Sequence, residues 1–571
     1  MLCLRTACDG SIGYFDGIIR GSNFNEYLEV VKNLPSRKWD KSEKVWHIGI
    51  HDYELLRNDL AEHKLFEVDV SSDLKSLLSH YKQWESDIVE LINKEDHDLV
   101  VDPAILKGKL MPHQRVCLAF MLKRKIGLNG GEMGTGKTFP SIVCAKHLYD
   151  TQQARDCLVV CISTAKYNWA KEIDKQVNGA TYTIIEGPPK TRAELYAAST
   201  NFKIVNYELL RNDIDDMLFE RVFDCIIVDE IHRIRGYKSK QTKALYALGE
   251  KAKYRFGLTG TPLQNHLTDL HSVMRFIHPT LLGDWFHFDQ RYCVKGYFGG
   301  TESYRRLDEV HNKLKTIMFR RMLKDVKKDL PDKVYNDIYI EMGTKQRKFY
   351  RDVCSQILES ANEDVEEKVR QGNILANLTY LRESCDSTEL IDPEVQESAK
   401  LDELKKILPE LIENGHKVVV FTQWEKMAKI IERELTEIGI QSIHLHGGIR
   451  TTGGVREAMI EEFAASRTKN VFIMTTAGAE SINLQMADYM VLFDLPFNPS
   501  VIAQIEGRLH RIGQESTVNI IKLIIQNSIE DRVLEILKAK TNLFREVIDG
   551  VSPEKILSQK EILNAVFANE K

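Results

Sequence analysis

At 571 residues, with 43% hydrophobic and 28% charged side chains, the chain is too long for one hydrophobic core, and a prior of roughly 150 residues per domain predicts three or four folded units. A net charge of −5 excludes attachment to nucleic acid by bulk charge, while leaving room for a local basic groove. No run of about 18 apolar residues occurs, and the opening MLCLRTACDGSIG lacks the apolar segment of a signal peptide, so neither a membrane span nor a membrane partner is expected. The ten cysteines form no C-x-x-C pair. Cys157 and Cys161, in CLVVC, read as buried thiols of a protein in a reducing, intracellular compartment.

Taken in chain order, residues 1–72 hold strand-like pieces and two tryptophans, Trp39 and Trp46, and read as a small α+β domain. Residues 73–105 read as a connecting helix. Residues 106–280 alternate helical stretches with short apolar runs: CLVVCI, TYTII, FKIV, FDCIIV and YRFGL. Residues 399–540 repeat the alternation with KVVVF, SIHLH, NVFIM, YMVLF and VNIIKL. Continuous apolar strands between helices predict parallel sheets covered on both faces, hence two α/β lobes. Between them, residues 281–398 carry highly charged helical segments and read as helical protrusions, and residues 541–571 as a C-terminal helical extension.

Gly131-Glu132-Met133-Gly134-Thr135-Gly136-Lys137-Thr138 fits the phosphate-binding pattern G-x-x-x-x-G-K-[ST] at every fixed position. Its glycines allow a tight turn whose N–H groups approach phosphate oxygens. Lys137 can reach the terminal phosphates, and the Thr138 hydroxyl can sit on Mg²⁺. Phe139–Tyr149 reads as a helix whose N-terminus faces those phosphates, with Pro140 tolerated in the first turn. The strand FDCIIV ends in Asp229 and Glu230. Asp229 suits Mg²⁺, and Glu230 suits orientation of an attacking water. Gln114 precedes the loop by one helix, and its amide offers a donor and an acceptor to adenine. In QIEGRLHRIGQ (504–514), Arg508 and Arg511 are three apart and predicted on one helix face beside Gln504, as guanidinium groups that stabilise a transferring phosphoryl group. The second lobe has no phosphate loop, so the pattern predicts ATP held between lobes with arginine fingers from the second.

These stretches resemble the Swi/Snf group of superfamily-two helicase-type ATPases. They run in that family's order: LMPHQ (110–114), GEMGTGKT (131–138), NWAKEI (168–173), IVNYELL (204–210), DEIHRIR (229–235), LTGTPLQN (258–265), FRRMLKDV (319–326), VVVFTQW (418–424), HLHGG (444–448), TTAGAESINL (475–484) and QIEGRLHRIGQ (504–514). The resemblance implies two RecA-like lobes, DNA-stimulated ATP hydrolysis, ATP and Mg²⁺ as cofactors, and a monomer tracking along duplex DNA without true strand separation. It places Thr259, Gly260 and Thr261 in the coupling of hydrolysis to lobe movement. It places DNA contacts at Lys166, Trp169, Asn206, Tyr207, Thr422, Gln423, Trp424, His446, Gly447, Thr475 and Thr476. Gly131 stands where the family often has aspartate, Ser163 where proline is common, and Ala479 and Ser481 where glycines are usual.

At the N-terminus, SRKWD (36–40), KVW (44–46) and DYELL (52–56) resemble the HARP module of annealing helicases, with Arg37 and Lys44 available to DNA. This implies action on branched or forked DNA, while the compact size suggests a bacterial or phage-infected cytoplasm, with a nucleus as the eukaryotic alternative. A translocase that displaces bound protein, such as RNA polymerase or a recombinase, uses the same motifs. A non-hydrolysing DNA-binding adaptor requires their decay, and Lys137, Thr138, Asp229, Glu230, Arg508 and Arg511 are intact.

Overall fold

The apolar runs become strands and the intervening segments helices in the computed structural model, which describes residues 1–550 apart from 7–12, 22, 219, 297–299, 327–329, 362–378, 447–448, 450–454, 477–481 and 512. The chain divides into two compact units, one built mainly on residues 1–322 with the segment starting at Phe544, the other mainly on 323–543. No helix among the described residues is long and apolar enough to cross a membrane.

The first unit opens with β1 (Leu2–Thr6), β2 (Tyr14–Ile19), β3 (Lys38–Asp40), β4 (Val45–Gly49) and β5 (Val68–Val70), in the sheet order β3-β4-β2-β1-β5. Only β1 and β5 are parallel. Helices Phe24–Lys32 and Tyr53–Glu62 cover this sheet around Phe15, Tyr27 and Leu56. The expected linker begins as helix Ser72–Asn93, capped by Ser71, and its Leu74 and Leu78 belong to this same core. The domain is fixed to the rest of its unit by buried charge: Asp52 accepts from Lys313 at 2.7 Å, and Asp59 pairs with Arg291 at 3.0 Å. Arg37, read as available to DNA, is half-buried and bonds Leu34 O and His287, whereas Lys44 is exposed.

The first RecA-like lobe contains β6 (Ile126–Asn129), β7 (Cys157–Cys161), β8 (Tyr182–Ile184), β9 (Phe202–Asn206), β10 (Cys225–Asp229) and β11 (Tyr254–Leu258). A hairpin, β12 (Cys293–Lys295) with β13 (Thr301–Tyr304), follows, and β14 (Met318–Phe319) returns to the sheet. The order β14-β6-β11-β10-β7-β9-β8 is parallel throughout. β7 and β9 are buried at every residue, as the unbroken apolar runs require. Gly127 of β6 is demanded by packing, since a Cβ there would lie 2.9 Å from the Phe120 ring. Cys157 and Cys161 are buried free thiols.

The second lobe holds β15 (Lys333–Ile340), β16 (Val418–Phe421), β17 (Gln441–Leu445), β18 (Lys469–Met474), β19 (Tyr489–Leu492) and β20 (Val518–Ile525), again all parallel, in the order β15-β20-β19-β16-β18-β17.

The region 281–398, expected to be helical protrusions, is divided. Its first part lies in the first unit and supplies β14. Its second part supplies β15, which pairs with β20 from Lys333↔Val518 to Ile340↔Ile525. The helix Thr344–Ala361 also packs inward, with Tyr350 and Cys354 in the second lobe's core. β15 was hidden in the sequence because KVYNDIYI is an edge strand whose residues stay largely exposed, so it lacks the apolar run of a central strand. Of the expected C-terminal extension, helix Ile529–Phe544 and the turn to Asp549 are seen, and 551–571 lie outside the described residues.

Candidate active site

Parallel α/β sheets present their functional loops at the carboxyl ends of the strands. In the first lobe the phosphate loop follows β6, the Thr259–Thr261 turn follows β11, and Asp229 ends β10. The next two strands in the sheet, β7 and β9, lead to helix Lys166–Gln176, which carries Trp169, and to helix Tyr207–Asp213. Five adjacent strand ends therefore converge on one site.

The loop turns through Gly134 and Gly136 at φ +85° and +74°, values that glycine adopts without penalty. Helix Thr138–Asp150 starts directly after Lys137, so its unpaired N–H groups point into the loop. Lys137 Nζ donates to the carbonyls of Gly131 (3.0 Å) and Glu132 (3.2 Å). Burial pulls its ammonium below the ordinary lysine range, opposed by Glu230, Asp229 and Glu132. Gln114, expected on adenine, has both ends of its amide engaged: Oε1 accepts from Met111 N at 3.0 Å, and Nε2 donates to Gly136 O at 3.1 Å. It braces the loop.

Asp229 and Glu230 sit side by side. Asp229 Oδ1 accepts from Glu230 N at 3.0 Å, and Oδ2 accepts from Trp169 Nε1 at 2.9 Å. Burial and then Glu230 push the Asp229 carboxyl up to about 6. Glu230 adopts φ 48°, ψ 49°, the left-handed region where a non-glycine residue is a sign of a constrained functional position. His232 Nδ1 lies 2.9 Å from Thr259 Oγ1 and 3.3 Å from Glu230 Oε2. Burial, then Arg233, lowers the His232 imidazole to about 3, so it is neutral at physiological pH and bonds Thr259 without competing for the carboxylate charge. Thr259 Oγ1 also accepts from Thr261 N at 3.0 Å, which ties the LTGTP turn to the acidic pair.

The donor set suits a Mg²⁺–nucleotide. Thr138 and Asp229 offer hard oxygens to such an ion, and Asp229 is a half-buried carboxylate without an ion-pair partner among the described residues. Bound Mg²⁺ would supply charge neutralisation on the phosphoryl oxygens.

In the second lobe, Gln504 and Arg508 lie on helix Pro499–Leu509, with Arg508 9% exposed. Arg511 is not on that helix, contrary to the sequence reading. The helix stops at Leu509 because Gln514 Nε2 takes up Leu509 O (3.3 Å) and Ala487 O (2.9 Å), while Gly513 turns the chain at φ +105°.

Most residues read as DNA contacts have inward-turned side chains. Trp169 and Tyr207 are 2% and 1% exposed and bond the acidic pair. Lys166 is buried against Ile185 O and Glu186. Asn206 caps its helix, accepting from Leu209 N at 3.3 Å. Thr422 is fully buried on Asp494 at 2.5 Å, Gln423 bonds the same carboxylate, and Trp424 donates to Asp386 at 2.9 Å. Thr475 is buried, Thr476 is exposed, and His446 is half-buried with Nδ1 3.7 Å from Glu425. Gly447 lies outside the described residues. The sequence reading missed the indole on Asp229 because a pairing between separate strand ends leaves no local spacing to detect.

A phosphate loop and an acidic pair on parallel strand ends, in a chain of two RecA-like lobes, define a P-loop ATPase of helicase type. Residues 113–390 match the SNF2-related domain, and residues 399–513 match the helicase conserved C-terminal domain. The chain is 29% identical over 470 residues to the ISWI chromatin-remodeling complex ATPase ISW1 of Saccharomyces cerevisiae, covering 78% of this chain and 41% of that protein. It is 28% identical to the ATP-dependent DNA helicase DDM1 of Arabidopsis thaliana, covering 78% of this chain and 63% of that protein. A solved structure titled Sulfolobus solfataricus SWI2/SNF2 ATPase core in complex with dsDNA aligns at 26% identity and a TM-score of 0.40, covering 80% of this chain and 96% of that one. The chain belongs to the Swi/Snf-type superfamily-two ATPases. It spans less than half the length of ISW1 and under two thirds of DDM1.

Proposed function

We propose that this chain is a DNA-dependent ATPase that translocates along duplex DNA and remodels branched or forked DNA by annealing or fork regression. The observation that carries hydrolysis is the convergence of Lys137, Asp229 and Glu230 at neighbouring strand ends. Gly131 to Thr138 cradle the phosphates of ATP, Thr138 and Asp229 hold Mg²⁺, and Glu230 orients water. Arg508 and Arg511 of the second lobe complete the charge stabilisation on closure, with Gln504 beside the nucleotide.

DNA binding is supported by an open cleft of about 780 Å³ in the first lobe, lined by Arg211, Arg233, Arg235 and Lys240 with Asp215 as its one acid. Clustered guanidinium and ammonium groups suit phosphates of any sequence. The solved Swi2/Snf2 relative is titled as a complex with dsDNA, which agrees with this substrate class. Preference for branched DNA is supported by Trp39, 43% exposed at the sheet edge with its ring 5.0 Å from Trp46, beside exposed Lys38, Lys41 and Lys44. An exposed aromatic among cations suits an unpaired base. Hence a HARP-like role for residues 1–72.

The test is ATP turnover with forked, duplex and single-stranded DNA. Forks are expected to stimulate most, and Trp39→Ala to remove that advantage while leaving duplex stimulation. Stimulation by no DNA overturns the reading. Arg233→Ala with Arg235→Ala should weaken binding to all sequences and reduce the salt slope by about 1 each.

A further inference from the structure

Trp169 and Tyr207 reach the acidic pair from two different elements. Trp169 lies on the helix after β7, which neighbours β10, and Tyr207 opens the helix after β9, which neighbours β7. The indole Nε1–H meets Asp229 Oδ2 at 2.9 Å. The Tyr207 hydroxyl lies 2.6 Å from Asp229 O and 3.2 Å from Glu230 O, so one hydroxyl spans the carbonyls on either side of the Glu230 Cα. That Cα is the one in the left-handed region, at φ 48°. A non-glycine residue stays there only where its surroundings hold it, and Tyr207 is the side chain that meets both carbonyls. Asp229 is fixed in the same way: one carboxylate oxygen is held by the indole and the other by Glu230 N.

We propose that Trp169 and Tyr207 are internal positioning residues for Asp229 and Glu230, and that neither contacts DNA. The proposal rests on the ATPase reading above. Loss of the Tyr207 hydroxyl frees the backbone at Glu230 to relax, swinging its carboxylate away from the position where it orients water. Loss of the indole N–H lets the Asp229 carboxylate rotate.

Tyr207→Phe and Trp169→Phe, made in the full chain, each keep a ring and remove one donor. A displacement of this kind is expected to lower kcat at saturating duplex DNA by about 10-fold, with KM for ATP and Kd for duplex DNA within about two-fold. Amide hydrogen exchange in the nucleotide-free protein should rise at residues 229–231 in Tyr207→Phe. If one variant folds poorly, by circular dichroism, the other carries the same kcat-against-KM split. A Kd for DNA weakened about 10-fold, with kcat restored at saturating DNA, returns both residues to DNA contact and overturns the proposal. Unchanged kcat and unchanged exchange also overturn it. A wild-type chain that hydrolyses no ATP defeats the ATPase reading instead, and the exchange at 229–231 still judges the positioning by itself.

Discussion

Each lobe sets a tryptophan indole against an aspartate, half-buried in the first lobe and fully buried in the second, and the two differ in the cation beside them. In the second lobe, Asp386 receives Trp424 Nε1 and Lys400 Nζ, both at 2.9 Å. Lys400, wholly buried, also donates to Glu530 at 2.5 Å and to Phe493 O at 2.8 Å, and the two carboxylates raise its affinity for the proton. That lysine pairs with both carboxylates, although burial still raises the Asp386 carboxyl well above the ordinary range. In the first lobe, Asp229 has the indole, and Glu230 beside it, but no ion-pair partner among the described residues, and its carboxyl is pushed up to about 6. In the second lobe the cation sits in hydrogen-bond contact with the carboxylate, whereas in the first Lys137 acts on Asp229 without a direct bond among the described residues.

The sharpest way to break this comparison is Arg511→Ala. It lies outside the second lobe's buried network, and an arginine finger implies about a 10³-fold loss of turnover, with nucleotide binding largely kept. Unchanged single-turnover rates would place all the chemistry in the first lobe. Next is Lys400→Met, which leaves Asp386 and Glu530 unpaired in the core. It should destabilise the fold by about 3–5 kcal/mol in denaturant unfolding. A smaller loss would show that water or a proton replaces the lysine easily. Lys137→Ala should lower hydrolysis by about 100-fold while leaving the unfolding midpoint nearly unchanged, the reverse of the Lys400 result.

The smallest effect tests the first lobe's half-buried carboxylate, Asp229. Between the ordinary carboxylate range and about pH 6, folded Asp229 keeps a proton that the unfolded chain has lost, so stability falls as pH rises through that window. Asp229→Asn should therefore stabilise the nucleotide-free fold by about 1–2 kcal/mol at pH 7–8 and by little near pH 4, while abolishing hydrolysis. Equal stability of the two proteins at both pH values would mean that the carboxylate is not held at a cost.

Local patterns made the candidate ATP site legible. The phosphate loop, Asp229 and Glu230 each carry their chemistry within a few consecutive residues, and the apolar strands β7, β9, β10, β16 and β18 stood out as runs. What could not be read was whatever depends on neighbours distant in sequence. β15 borrows its place in the sheet from β20. Arg511 leaves its helix because Gln514 caps Leu509 O. The resemblance set Trp169, Tyr207, Thr422 and Trp424 on DNA, and what it could not give is that in the fold their side chains bond carboxylates and carbonyls.

The sequence by itself determined the family and the candidate reagents, a lysine, a hydroxyl, two carboxylates and two arginines, because each motif needs only residue type and short spacing. The tertiary structure alone decided which carboxylate has its charge answered within the protein. Lys400 reaches Asp386 and Glu530, residues 14 and 130 positions away. Trp169 reaches Asp229 across 60. Only a folded sheet brings those groups within hydrogen-bond distance, and in a dry interior that distance fixes whether a charge is silent or reactive.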